Sequence, residues 1–326
     1  MIVALSGVYP EGTFEKFREL LPEDVELLKI DTPEKYQALT RADAMILRIF
    51  RAEKADIERI QGLKMISRWG VGYDSVDVAT ASEKGILVTN TPGSNAYAVA
   101  EHAVLLMLAL CHHLVEHYQF TEKGFWSNKA FLENTRTLND AKVGLIGGGN
   151  IGRQVAKRVQ AFGAKVQYFD PYRLGEERER ELAMQYVSLD ELLRTSDFIS
   201  IHAPLTEENY HIINEEALRK MKPGAIVINT ARGGLIDEKA LVRAISEGRI
   251  AGAGVDCIEN MPLTKDDPLL GKENIIVTPH VGGTSNDIAT VTIPMLVDTL
   301  MDLYKGEKVR FVVNSAALSA AGFANK

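Results

Sequence analysis

The chain has 326 residues, a formal net charge of −7, and a composition that is 46% apolar and 25% charged. That length is enough for two domains with separate cores, and the acidic balance, with no basic stripe to track phosphates, excludes a nucleic-acid-binding surface. Only Cys111 and Cys257 are present, both in apolar surroundings, so a disulfide framework is not expected and a reducing compartment, the cytoplasm, is.

The opening Met1-Ile2-Val3-Ala4-Leu5 lacks the basic flank and length of a signal peptide and reads as a first strand. Apolar runs at 2–5, 25–29, 44–47, 65–67 and 87–89 alternate with helical patterns near 13–20, 54–59 and 76–84. This is the rhythm of a parallel sheet covered on both faces. An apolar helix is predicted over 96–114, and Glu101 and His102 within it argue against a membrane span. The segment 121–140 is polar and long for a connection.

A strand at 143–146 then runs into Gly147-Gly148-Gly149-Asn150-Ile151-Gly152, an amphipathic helix over 151–162, and a second strand over 165–169 that ends on Asp170. Glycines at 147, 149 and 152 permit a tight turn, close approach of backbone to a pyrophosphate, and close helix–strand packing. The helix start, with Asn150 and Ile151, offers free N–H groups. An acid about twenty residues on accepts hydrogen bonds from the adenosine ribose and repels a 2′-phosphate, so the expected cofactor is NAD rather than NADP.

After this unit the charged run Glu176-Glu177-Arg178-Glu179-Arg180-Glu181 reads as a solvated helix face. Strands follow at 198–201, 225–229, 250–255 and 275–277, with helices at 189–194, 215–221 and 237–247. A long helix covers 288–305, and the small-residue tail after Asn314 is expected to fray. The fold class is α/β with two doubly wound parallel-sheet domains. If the last helix rejoins the first domain, a Rossmann NAD-binding domain (98–287) is inserted into a flavodoxin-like substrate domain (1–97 and 288–326). Ligands in such sheets bind outside the carboxyl ends of the strands, which places the expected substrate in the cleft between the domains.

Several motifs together resemble the D-isomer-specific 2-hydroxyacid dehydrogenases. They are Arg68-Trp69-Gly70-Val71-Gly72-Tyr73-Asp74, Asn90-Thr91-Pro92-Gly93, Val99-Ala100-Glu101-His102, the glycine fingerprint with Asp170-Pro171, and His202-Ala203-Pro204-Leu205-Thr206. Further along come Met221-Lys222-Pro223-Gly224, Asn229-Thr230-Ala231-Arg232-Gly233-Gly234, Gly254-Val255-Asp256 and Thr278-Pro279-His280-Val281-Gly282-Gly283. The resemblance spans nearly the whole chain. It implies oxidation of a small D-2-hydroxy acid or reduction of its 2-oxo counterpart, and a homodimer formed through the 96–114 helix and the 121–140 loop.

That chemistry needs a base for the hydroxyl proton, a cation for the carboxylate, and a held nicotinamide. His280, in a strand-end loop, has the one side chain that titrates near neutrality. Arg232 has a planar fork suited to a carboxylate, although taken alone it reads equally as a surface residue at a turn. The resemblance assigns His280 as base and Arg232 as carboxylate and carbonyl clamp. It also implies that the N–H groups of Val71 and Gly72 form an anion nest, and that Thr230, Ala231 and Asp256 face the nicotinamide. His202 and Pro204 are expected on the adenosine side, with a structural histidine as the alternative. Arg48 and Arg51 either read a second anionic group on the substrate or are solvated charges. His112, His113 and His117 lack a completing ligand, so no metal is expected, and Cys257 is expected as a small buried hydrophobe.

One departure stands out. Relatives carry a glutamate five positions beyond the aspartate, where it hydrogen-bonds the histidine, whereas here that position is Met261. A carboxylate raises an imidazole pKa and fixes its tautomer, and a thioether does neither. Three readings follow: Glu259 substitutes from two residues away; His280 works unassisted, more slowly and with an altered pH profile; or the chain is an NAD(H)-responsive interaction protein with little turnover. The expectation adopted is the second, with phosphoglycerate-like or hydroxypyruvate-like substrates ahead of lactate because of Arg48.

Overall fold

The computed structural model describes residues 1–127, 129–272 and 274–323. It divides into two compact units, Met1–Asn95 with the segment from Ser285 onward, and Ala96–Thr284.

The first unit runs β1 (Ile2–Ser6), α1 (Thr13–Leu20), β2 (Glu26–Ile30), α2 (Pro33–Ala38), β3 (Ala44–Leu47), α3 (Lys54–Arg59), β4 (Met65–Arg68), α4 (Val78–Glu83) and β5 (Leu87–Thr89). Its five strands are parallel in the order β2-β1-β3-β4-β5, the flavodoxin-like arrangement. All four residues of β3 are buried, because helices cover both faces of the sheet and leave no solvent side to alternate with. Helix α2 is absent from the predicted elements. Its start signal is nonetheless in the sequence: Thr32 accepts from the Lys35 N–H, and proline occupies the first turn.

The second unit opens with α5 (Ala96–Cys111) and α6 (Leu114–Glu122) and continues β6 (Lys142–Ile146), α7 (Asn150–Ala161), β7 (Lys165–Phe169), α8 (Glu176–Leu182), β8 (Met184–Tyr186) and α9 (Leu189–Thr195). Then come β9 (Phe198–Ile201), α10 (Glu215–Lys220), β10 (Ala225–Asn229), a 3-10 turn (Gly233–Leu235), α11 (Glu238–Ser246), β11 (Ile250–Val255) and β12 (Ile275–Val277). Seven parallel strands lie in the order β12-β11-β10-β9-β6-β7-β8. Strands β6 and β9 are neighbours although far apart in sequence, so the order reverses there and opens a crevice at their carboxyl ends. Helix α7 buries Gly152, Val155, Ala156 and Val159, spaced as one face of an α-helix.

Three expectations are corrected. The helix predicted over 96–114 stops at Cys111, because His113 turns left-handed (φ 50°) and stacks its ring on Phe131 at 4.9 Å. The charged run on α8 is not wholly solvated: Glu179 is buried, accepts from Tyr168 Oη at 2.7 Å and takes both guanidinium contacts of Arg173, at 2.8 and 2.9 Å. The tail does not fray over its described residues, 315–323. After α12 (Ala289–Lys305) the chain forms α13 (Ser315–Ala320), which buries Leu318.

Helix α12 returns Ile293, Leu296, Val297 and Leu300 to the core that holds Val3, Leu5 and Phe17. Among the described residues no single helix is long and apolar enough to cross a membrane.

The return is fastened by Asn314, which is buried and accepts from the Val88 N–H at 2.9 Å while donating to Ser82 Oγ and the Ile86 carbonyl at 3.0 Å each. Asn314→Ala strands buried backbone groups of β5 and its approach, and is expected to lower stability by about 2–3 kcal/mol. Urea unfolding followed by circular dichroism checks it.

Candidate functional site

The glycine-rich turn follows β6 at the crevice. Gly147 has φ 109°, and a Cβ there would lie 2.6 Å from the His202 carbonyl oxygen. A Cβ on Gly152 would lie 2.1 Å from the Gly147 carbonyl oxygen. These two glycines are therefore required by packing. Gly149 is different: nothing lies within 4 Å of a Cβ placed there, it is exposed, and as N-cap of α7 it gives no side-chain cap. Open space over an uncapped helix start that also includes Asn150 and Ile151 suits a pyrophosphate.

Asp170, at the end of β7, accepts from the Gly148 N–H through one oxygen and from the Tyr172 N–H through the other, both at 2.8 Å. Each oxygen retains acceptor capacity for a ribose hydroxyl. Arg173 is held on Glu179 and lies over the Tyr186 ring at 5.0 Å. The cation nearest in sequence to Asp170 is thus engaged by a carboxylate, which fits NAD better than a 2′-phosphorylated cofactor.

His202 and Thr230 stand at the carboxyl ends of β9 and β10. His202 Nε2 lies 2.9 Å from Ser200 Oγ, but its Nδ1 and the Thr230 hydroxyl are buried with no hydrogen-bond partner. Two orphaned polar atoms beside the crevice fit a polar ligand there. Burial pushes the His202 imidazole down to about 3, which keeps it neutral. Ala231 is buried beside Thr230 and Pro204 is exposed.

Arg232 is half-buried just beyond β10, and its Nη1 donates to the Ala231 carbonyl at 2.7 Å. Asn229 braces this turn, accepting from the Ala231 N–H and donating to the Arg232 carbonyl. The next residue, Gly233, meets the 256–261 loop so closely that a Cβ would lie 2.0 Å from the Ile258 carbonyl carbon. Within that loop Met261 is 54% exposed. The Glu259 carboxylate is engaged by Tyr210 Oη and by His211 Nε2, the latter at 3.2 Å. Cys257 is buried and free, and burial pushes its thiol up to about 12.

His280 is exposed in the loop after β12, with φ 55°. Asp256, expected to face the nicotinamide, also ties down the loop that carries His280. It is 2% exposed, and its Oδ1 accepts from Thr278 Oγ at 2.6 Å and the Val281 N–H at 2.9 Å, while its Oδ2 accepts from the Gly282 N–H at 2.8 Å. His102 on α5 joins them, its Nε2 2.9 Å from Thr278 Oγ and 3.4 Å from Asp256 Oδ1. Burial pushes the Asp256 carboxyl up, but the donors from His102, Thr278, Gly282 and Val281 outweigh it and hold it at about 2.

In the first unit, Arg48 is half-buried beyond β3 and donates to the Val8 carbonyl after β1. These strands flank the order reversal of that sheet. Burial lowers the Arg48 pKa. The turn after β4 is tied by Gly70 N–H to Thr91 Oγ at 3.0 Å and by Asn90 Nδ2 to the Val71 carbonyl at 2.7 Å. Neither bond uses the N–H of Val71 or Gly72.

Residues 104–282 match the sequence model of the D-isomer specific 2-hydroxyacid dehydrogenase NAD binding domain. The chain belongs to the D-isomer-specific 2-hydroxyacid dehydrogenase family. A hydroxypyruvate reductase of Thermotoga maritima is 43% identical over 259 residues, 78% of this chain and 83% of that protein. The crystal structure of a D-lactate dehydrogenase from Aquifex aeolicus complexed with NAD and lactic acid aligns with TM-score 0.80 at 31% identity, covering 94% of this chain and 96% of that one. An acyclic imino acid reductase in complex with NADPH and D-Arg aligns with TM-score 0.82 at 30% identity, covering 96% and 100%. All three are named for or bound to redox partners, and the dehydrogenase described here is an NAD-dependent enzyme of this family.

Sequence reading missed His102 and Thr278 as site neighbours of this dehydrogenase. Their signal was faint: a histidine interrupting an apolar helix, and a threonine one residue before a proline. Glu179, the partner of Arg173, was hidden in a charged run.

The neutral His202, half-buried with its Nδ1 sealed from solvent, generates a pH dependence. Its folded pKa lies below the unfolded value, so the unfolded state binds the extra proton and stability falls as pH drops from about 6.5 toward 3. Relative to His202→Gln, the native protein is expected to lose about 2 kcal/mol between pH 7 and pH 5. Urea unfolding of both proteins at the two pH values measures it.

Proposed function

We propose that this chain interconverts a small D-2-hydroxy acid and its 2-oxo acid, with hydroxypyruvate-like or phosphoglycerate-like substrates ahead of lactate. The observation that carries the reading is convergence within one sheet: the glycine-rich turn after β6, Arg232 after β10 and His280 after β12 all lie at its carboxyl end, where ligands of such sheets bind. Bound NAD supplies the hydride acceptor or donor. Gly149, Asn150, Ile151 and Gly152 hold its pyrophosphate and Asp170 its ribose, with His202, Pro204, Thr230 and Ala231 lining the crevice.

Arg232 binds the substrate carboxylate and polarises the C2 oxygen. In oxidation a neutral His280 ring nitrogen takes the hydroxyl proton, and in reduction the imidazolium returns it to the carbonyl oxygen. In the first unit Val71 and Gly72 offer N–H groups to a carboxylate, and Arg48 offers a second cation for a phosphate or a polar tail. Glu259 is held by Tyr210 and His211, which supports the reading that His280 works without the carboxylate that Met261 replaces. A second substrate class has one observation in its favour. An iminium carbon accepts hydride without a proton delivered to it, so a 2-imino acid makes no use of the glutamate that Met261 replaces, and an imino acid reductase is among the solved structures the chain resembles.

Turnover of NADH against hydroxypyruvate, phosphohydroxypyruvate, glyoxylate, pyruvate and a pyruvate–methylamine mixture tests these readings. One 2-oxo acid is expected to dominate, and His280→Ala is expected to lower its kcat by at least about 100-fold. Met261→Glu is expected to raise kcat and move the kinetic pKa up by about one unit; no change in either removes the reading that the missing glutamate limits turnover. Preference for the amine-containing mixture moves the assignment to imine reduction.

Cys111 and Cys257 are free and buried, which fits the cytoplasm. Helix α6 buries none of its residues, and Leu114, Val115, Tyr118, Phe120, Phe125, Trp126 and Leu132 are exposed. So concentrated an apolar surface suits a second copy of the chain. Sedimentation equilibrium is expected to return twice the chain mass, and Trp126→Asp with Tyr118→Asp to shift it toward one.

A further inference from the structure

His280 adopts a left-handed backbone, a conformation that is strained for a non-glycine residue. A loop of this kind keeps its shape only where its neighbours impose it. Here they do so from both sides. Before His280, Thr278 gives its hydroxyl proton to Asp256; after it, the Val281 and Gly282 N–H groups are bound by the same carboxylate. Glycine is needed at 282, because a Cβ there would lie 2.9 Å from Asp256 Oδ2 and 3.2 Å from His102 Cδ2.

The tautomer of His102 follows from counting protons. The Thr278 hydroxyl has one, and at 2.6 Å it is directed to Asp256. Oxygen Oγ is then the acceptor in its 2.9 Å contact with His102, so His102 Nε2 carries hydrogen. That N–H also faces Asp256 Oδ1 at 3.4 Å. His102 thus anchors the carboxylate and the threonine to helix α5, inside the core of the second unit.

We propose that His102 is a positioning residue for His280, acting through Thr278 and Asp256 to fix the backbone of the loop that carries the base. The proposal rests on the assignment of His280 as base. His102 acts through its contacts with Thr278 and Asp256, which accounts for a carboxylate buried against a strand-end loop.

The test compares His102→Phe, His102→Gln, Thr278→Val and Thr278→Ser in the full chain, using the 2-oxo acid the native enzyme prefers. His102→Phe and Thr278→Val are expected to lower kcat at least tenfold with the NADH Kd within twofold, and to speed amide hydrogen exchange at Val281 and Gly282 at least tenfold. His102→Gln and Thr278→Ser, which keep a donor and a hydroxyl, are expected to recover most of kcat. Native kcat and native exchange in both deletion variants overturn the proposal, as does a loss that neither conservative variant restores. If His102→Phe does not fold, the Thr278 pair alone decides. Full kcat in His280→Ala instead overturns the base assignment, and the exchange data then still report whether the clamp exists.

Discussion

Parallel strands deliver their loops at one edge, and in the second unit those edges are crowded to the limit of backbone contact. A Cβ at Gly147 or Gly152 would strike the neighbouring strand end or the turn itself, and one at Gly233 would strike the backbone at Ile258. Each of these glycines lets one strand-end loop rest directly on another. The crevice after β6, the turn carrying Arg232 and the loop carrying His280 can coexist at one end of a single sheet because side chains are removed where the loops meet.

Crowding of this kind leaves polar groups to be satisfied, and the structure handles them in two ways. Asp256 accepts from the His280 loop twice at Oδ1 and once at Oδ2, so it braces that loop. His202 Nδ1 and Thr230 Oγ are buried without partners, so their hydrogen-bonding capacity is unspent. Asp170 lies between these cases: each oxygen is anchored once to backbone, which aims the carboxylate and leaves it able to accept more. Rigidity is placed where geometry must be held, and unsatisfied capacity where a ligand is to be recognised.

The departure at Met261 fits this division. The loop from Asp256 onward is fixed at its start by the Asp256 bonds, in its middle by the contact with Gly233, and at Glu259 by Tyr210 and His211. Its path is therefore set by groups other than residue 261, and a methionine can occupy that position without disturbing the loop.

Much of this was legible in sequence. Alternating apolar runs located most of the strands, because strands buried on both faces must be continuously apolar. The glycine turn followed by the acid at Asp170 marked the NAD-binding domain, since a pyrophosphate needs bare backbone at a helix start. Tertiary structure decided what depends on partners distant along the chain. The 96–114 helix breaks because the ring of Phe131 stacks on His113, and the tail is ordered because Asn314 finds the backbone of β5. Glu179 is buried because Tyr168 and Arg173 close on it. Asp256 serves the His280 loop because a histidine 154 positions earlier completes its ring of donors. Local sequence sets which bonds a residue is able to make, and packing selects the partner.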